Sequence, residues 1–176
     1  TETWVVGNDG TILSWNGTLW TVQPATTSTS LLGVGPASSI GALAVGAEGT
    51  AVRWNGNTWS LESTGAAQDF TGVWTAANGI GWAVGLYGTL ARVQGTGWTT
   101  EVNGSPWNLH AVAGTSVSDV WAVGMGGTIK HWNGSAWSTV PSGTTNWLSG
   151  VWAATPTDAW AVGVGDLRHW NGASWV

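Results

Sequence analysis

Apolar residues in this chain come in short runs rich in Val, Trp, Ala and Leu, such as 109–113 and 120–123. Gly-rich polar turns divide them at intervals of about eight to twelve residues. Strands are the element such runs predict, because β-branched and aromatic side chains suit a pleated surface while Gly and Asn break it. Strict alternation of apolar and polar positions is missing, so both faces of each strand are expected to be covered.

The pattern repeats. Gly7, Gly46, Gly85, Gly124 and Gly163 follow one another at steps of 39 residues, a period that belongs to solenoids, propellers or arrays. One period read from Leu109 predicts strand A over 109–113, with counterparts near Leu31, Phe70 and Leu148. Strand B covers 120–123, with counterparts near Trp4, Leu43, Trp82 and Trp160; strand C covers 128–132, and strand D starts at Trp137. Between B and C two residues stand between glycines, as in Gly7-Asn8-Asp9-Gly10, a spacing for a tight hairpin in which the edge glycines supply positive φ. Between C and D, Asn16-Gly17, Asn55-Gly56, Asn133-Gly134 and Asn171-Gly172 open a second turn. Asp119 and Asp158, just before strand B, are read as Asx caps of the A-to-B turn.

Residue size places strand A innermost. Its third position is Gly33, Gly72, Ala111 or Gly150 and the next is Val34, Val73, Val112 or Val151, small groups where backbones crowd near an axis. Trp15 and Trp20, Trp54 and Trp59, and Trp132 and Trp137 flank the C-to-D turn, so each pair is expected to meet across its hairpin. Four-stranded units around an axis make an all-β propeller, whose sheets pack face to face. A β-solenoid would not need so many hairpins per period. The expected domain is a single propeller over 1–176, with about five blades in units near 1–24, 31–63, 70–102, 109–141 and 148–176. The first blade lacks its inner strand. That blade is three-stranded, borrows a strand, or belongs to a larger ring; hence the expectation of a homo-oligomer or a longer repeat chain.

At 127–137 the run Gly-Thr-Ile-Lys-His-Trp-Asn-Gly-Ser-Ala-Trp resembles the Asp-box (BNR-like) repeats of bacterial propellers, including the photosystem II assembly-factor type. Asn stands where that family has Asp, and the turn is one residue shorter. The stretch Trp-Asn-Gly-Ser-Ala-Trp also looks like the repeats of bacterial propeller lectins. These resemblances imply a bacterial, secreted or cell-surface binding protein.

Composition narrows the chemistry. Charged residues make up 7% of the chain and the net charge is −5, which argues against a polyanion such as DNA or RNA as partner. There is no Cys, hence no disulfide framework or thiolate metal site. No apolar run reaches the roughly 18 to 20 residues of a membrane span. Thr1 opens directly into repeat sequence, as in a mature or trimmed chain. The enzyme reading suggested by sialidases, which use similar repeats, needs three Arg, a Tyr with an acidic partner and an Asp. Here Arg53 and Arg92 share a column with Ser14, His131 and His169, and Tyr87 is the single Tyr. That column reads as a repeated surface position, and its histidines as solvated or Trp-packed side chains with no carboxylate at fixed spacing. No catalytic residue, metal or cofactor is assigned.

What remains is binding. The expected face is the one that carries the B-to-C turns and the D-to-A crossovers, where Tyr87, Trp107, Met125, Asn146 and Trp147 depart from the other repeats. Seventeen Trp in a nearly uncharged chain suit lectin-like stacking on a neutral glycan. A protein-interaction or self-assembling surface is the alternative.

Overall fold

The computed structural model describes residues 3–24, 26–35, 41–101 and 105–176; the ends of the first and third expected units, at 1–2 and 102, lie outside them. Among the described residues eighteen strands follow in the expected A-B-C-D order. The first sheet has β1 (Thr3–Val6), β2 (Ile12–Trp15) and β3 (Trp20–Val22). The second has β4 (Leu31–Gly35), β5 (Leu43–Gly46), β6 (Ala51–Trp54) and β7 (Trp59–Glu62). The third has β8 (Phe70–Thr75), β9 (Ile80–Gly85), β10 (Leu90–Gln94) and β11 (Gly97–Glu101). The fourth has β12 (Leu109–Ser116), β13 (Asp119–Gly124), β14 (Ile129–Trp132) and β15 (Trp137–Thr139). The fifth has β16 (Leu148–Thr155), β17 (Asp158–Gly163) and β18 (Asp166–Trp170).

Each sheet is an antiparallel meander. The middle three have four strands among the described residues, and the first has three, with no inner strand. In the fifth, the outer strand is reduced to one bridge from Trp175 to Trp170. Inner strands pack in series, β4 on β8, β8 on β12 and β12 on β16, and β1, the strand B of the first sheet, packs on β4. Among the described residues β16 has no comparable packing on β1, and the ring of sheets is not closed. No helix there is long and apolar enough to cross a membrane.

The two glycines of each B-to-C turn do different work. Gly127 is left-handed at φ 68°, as expected, but Gly124 is extended at φ −170°. Gly124 is needed for space, since a Cβ there would lie 2.0 Å from the Asn108 carbonyl oxygen. In the C-to-D turns Asn133 Oδ1 accepts the N–H groups of Ser135 and Ala136, both at 3.0 Å, and Asn16, Asn55 and Asn171 repeat the arrangement.

The core lies between blades. Val34, Val73, Val112 and Val151 of the inner strands turn into these layers. Each C-to-D Trp pair meets as expected, with ring centroids 5.4 Å apart for Trp15 and Trp20 and 5.9 Å for Trp132 and Trp137. The pair also does something that hairpin spacing does not show: it grips the strand-B Trp of the preceding blade. Trp4 lies 5.1 and 5.0 Å from Trp54 and Trp59, and Trp82 lies 4.8 and 5.0 Å from Trp132 and Trp137. Trp121 lies 5.0 and 5.2 Å from Trp170 and Trp175. In every case one contact is tilted and the other edge-to-face, the geometries that ring quadrupoles favour. The second-to-third junction is the exception. There Leu43 replaces the inserted Trp and Val93 replaces the first clamp Trp, both fully buried.

Candidate functional site

The B-to-C turns and D-to-A crossovers share one face and are tied together by hydrogen bonds. The crossover residue Asp69 accepts Leu86 N–H on its carbonyl, and its carboxylate accepts Glu48 N–H from the preceding blade, both at 2.9 Å. Asn108 repeats this one blade on, accepting Met125 N–H on its carbonyl and Tyr87 N–H on Oδ1, again at 2.9 Å. The bonded N–H groups of Glu48 and Tyr87 belong to left-handed residues, at φ 56° and 54°. That conformation costs a non-Gly residue of order 1 kcal/mol or more, and the inter-blade bond helps to hold it.

Trp147 is the next member of this series, and it breaks the rule. Its carbonyl still accepts Val164 N–H at 3.0 Å, but an indole has no acceptor for the Gly126 N–H of the preceding turn. Gly replaces the strained residue there, as if to match. Trp147 does not recover the loss by burial: it stands 53% exposed, its ring centroid 6.4 Å from that of His110 on the inner strand β12.

The other expected site residues lie on the same face but are grouped apart from it. Trp107 is half exposed and lies against Gly126. Trp107, Gly126 and Asn146 line one open groove of about 810 Å³ over the fourth blade, together with Pro106, Pro141 and Lys130. Tyr87, also exposed, lines a neighbouring groove of about 360 Å³ with Thr100, and Ser105 borders both. Met125 is half-buried and lines neither groove, nor does Trp147. The structure therefore joins Trp107 with Asn146, sets Tyr87 beside them, and leaves Trp147 toward the inner strands.

Two groups here are absent from the sequence-based expectation. Lys130 on β14 is buried at the groove wall, its Nζ donating to Thr139 Oγ1 at 2.9 Å, and burial lowers its pKa. Its column holds Leu13, Val52 and Ala91 in earlier units, and that switch from apolar to basic was the available signal. Asn146 Nδ2 donates to Asp166 at 3.3 Å. The carboxyl of Asp166 is held below the usual range, first by a bond from Thr144 and then by Arg168, whose Nε lies 2.8 Å away.

Several expectations on the other face are corrected. Asp119 is not an Asx cap. Its carboxylate accepts the Thr115 hydroxyl and pairs with His131 Nε2 at 2.7 Å, while the His131 ring stacks on Trp121 at 4.1 Å. Asp158 and His169 repeat the pair at 2.9 Å, with His169 stacked on Trp160 at 4.2 Å. The histidines are Trp-packed, as expected, and each also has a carboxylate partner, though not at one fixed spacing: twelve residues before His131 and eleven before His169. The reason is register: β13 and β14 pair Trp121 with His131, which places Asp119 beside the ring. This does not assemble a nucleophile and base, because the Thr115 hydroxyl donates to the acid and not to the imidazole.

The column of Ser14, Arg53, Arg92, His131 and His169 is likewise no exposed surface. Arg53 is buried in a bidentate pair with Glu62, which also accepts the Trp98 indole N–H at 2.7 Å. Arg92 lies over Trp82 and Trp132 at 6.0 and 5.7 Å. These cations belong to the layers between blades.

No family model and no curated protein matches the chain. Solved structures do. YCF48 bound to a D1 peptide superposes with a TM-score of 0.73 at 16% identity, over 99% of this chain and 62% of that one. YCF48 from Cyanidioschyzon merolae gives 0.71 at 15% identity, over 97% and 63%. The WD40 β-propeller domain of Doa1 gives 0.78 at 10% identity, over 98% and 62%. The fold is a β-propeller. Its repeats are those expected from the 39-residue period, and the chain spans about three-fifths of the length of these propellers.

Proposed function

We propose that this chain is a non-enzymatic binding propeller that docks a protein segment across the face of its B-to-C turns and D-to-A crossovers. The observation that carries the reading is Trp147, an exposed indole that gives up the inter-blade hydrogen bond made by Asp69 and Asn108 and gains no burial in return. On the same face, Trp107 and Tyr87 offer rigid aromatic surface at low entropic cost, and the grooves they line are open, a shape for an extended chain. Aromatic anchors of this kind carry most of the energy at protein interfaces. That a propeller of the same fold, YCF48, has been solved with a D1 peptide bound supports the reading.

A second reading, lectin-like binding of a neutral glycan, is favoured by the Trp107 indole face standing in one groove with Ser105 and Asn146. Labelled chain applied in parallel to a peptide array and a glycan array decides between them. The first reading expects peptide signal that falls about tenfold or more in Trp147→Ala, the loss typical of an interface anchor. Glycan signal that falls in Trp107→Ala, with no peptide signal, supports the second. Binding on either array untouched by both substitutions overturns this face as the site.

A further inference from the structure

The two ends of the arc carry the two unmatched halves of the junction that the chain builds inside itself. At three junctions among the described residues a strand-B Trp enters the Trp pair of the next blade: Trp4 with Trp54 and Trp59, Trp82 with Trp132 and Trp137, Trp121 with Trp170 and Trp175. At the fourth, the columns of the inserted residue and the first clamp residue both hold smaller side chains, Leu43 and Val93, each fully buried.

Trp160 holds the inserting position on the fifth blade, 39 residues beyond Trp121. Nothing grips it. Trp82 and Trp121 are each 1% exposed, whereas Trp160 is 37% exposed and its same-face neighbours Trp152 and Leu167 are each 59% exposed. The counterparts of those neighbours, Trp74 and Leu90 in the third blade, are packed into the next blade. At the other end, Trp15 and Trp20 form a clamp with centroids 5.4 Å apart, and Trp20 is 46% exposed. Val5 stands beside them where Ala44 and Ala122 are buried in the other blades, and it is exposed. The clamp is of the Trp–Trp type that an inserting Trp matches, not of the Val93 type.

We infer that the fifth blade's open face docks the first blade of a second copy of this chain, with Trp160 of one copy entering the Trp15–Trp20 clamp of the other. The contact continues the internal junctions across a chain boundary. It joins unlike surfaces head to tail, so it leaves a free clamp and a free Trp160 on every open assembly and permits growth beyond a dimer. It uses neither groove of the proposed binding face, so it stands or falls independently of that reading.

Analytical ultracentrifugation of the full chain across the micromolar range tests it. Average mass should rise with concentration past that of a dimer. Trp160→Ser and Trp20→Ser should each be monomeric, while an equimolar mixture of the two should form a heterodimer and stop there, because that pair retains one intact clamp and one intact insert. Both side chains are partly exposed, so circular dichroism and thermal midpoints close to the parent's are expected. Leu167→Lys, at an exposed neighbour of Trp160, gives an independent variant that should also lower the mass. A parent chain that remains monomeric at the highest concentration overturns the inference. So does a parent that assembles while the mixed variants form no heterodimer, since the contact then lies elsewhere.

Discussion

The matching of inserted side chain to clamp can be measured at the junction between the third and fourth blades. Trp82→Leu imitates Leu43, and Trp132→Val imitates Val93. Trp82 is fully buried, with two aromatic contacts at 4.8 and 5.0 Å, and each such pair contributes about 0.5 to 1.5 kcal/mol beyond its buried area. With the cavity left by Leu, the single substitution should cost about 2 to 4 kcal/mol. Trp132→Val loses one of those ring contacts and the bond from Trp132 Nε1 to the Val117 carbonyl at 3.0 Å. Its cost should be about 2 to 3 kcal/mol. The double variant loses the Trp82–Trp132 contact only once, so it should be more stable than the sum of the singles predicts, by about 1 kcal/mol. Equilibrium unfolding in urea of the parent, both singles and the double closes the cycle. Additivity within about 0.3 kcal/mol would mean that the two rings do not act as a pair, and the reasoning about matched junctions would fail.

Other consequences follow from single sites. Asp119→Ala removes a buried carboxylate that accepts from Thr115 and His131 and should cost about 2 to 3 kcal/mol. The same change at Asp158, whose side chain is 45% exposed, should cost less than about 1 kcal/mol; equal losses in thermal denaturation would contradict the distinction. Lys130→Met should stabilise at neutral pH, because burial disfavours the charged form of Lys130. That penalty is fully present below the lowered folded pKa and fades as pH rises through it toward the unfolded value. The gain measured by urea unfolding should therefore shrink between pH 7 and about pH 10, and a gain that grew with pH would refute the assignment. Trp132→Ala should mainly destabilise, whereas Trp147→Ala should leave the thermal midpoint nearly unchanged; a comparable fall for both would make Trp147 a packing residue.

The fold was legible because its signals are local. The Gly-x-x-Gly and Asn-Gly turns each report on a few adjacent residues, and a 39-residue step aligns them, so strand order and the Trp hairpin pairs could be read directly. Other features depend on which face a side chain takes and on what the next sheet brings to it. Trp82 enters the following blade's clamp, Arg53 is buried on Glu62, and His131 finds Asp119 through strand register. None of these is visible in spacing within one unit. The binding face was legible only as departure from the repeat. Trp147 and Trp107 depart from polar columns at turn tips, whereas Lys130 departs from an apolar column inside a strand, where hairpin spacing says nothing of a site.

Tryptophans of one repeat divide into two groups, those that enter or form inter-blade clamps and those that face solvent on the turn face. Oxidative footprinting of the dilute chain, read residue by residue by mass spectrometry, measures that division directly. Trp107 and Trp147 should be modified early, while Trp82, Trp121, Trp132 and Trp175, all buried, should react only as the protein unfolds. Modification of Trp82 or Trp121 in the native chain as fast as Trp147 would contradict it.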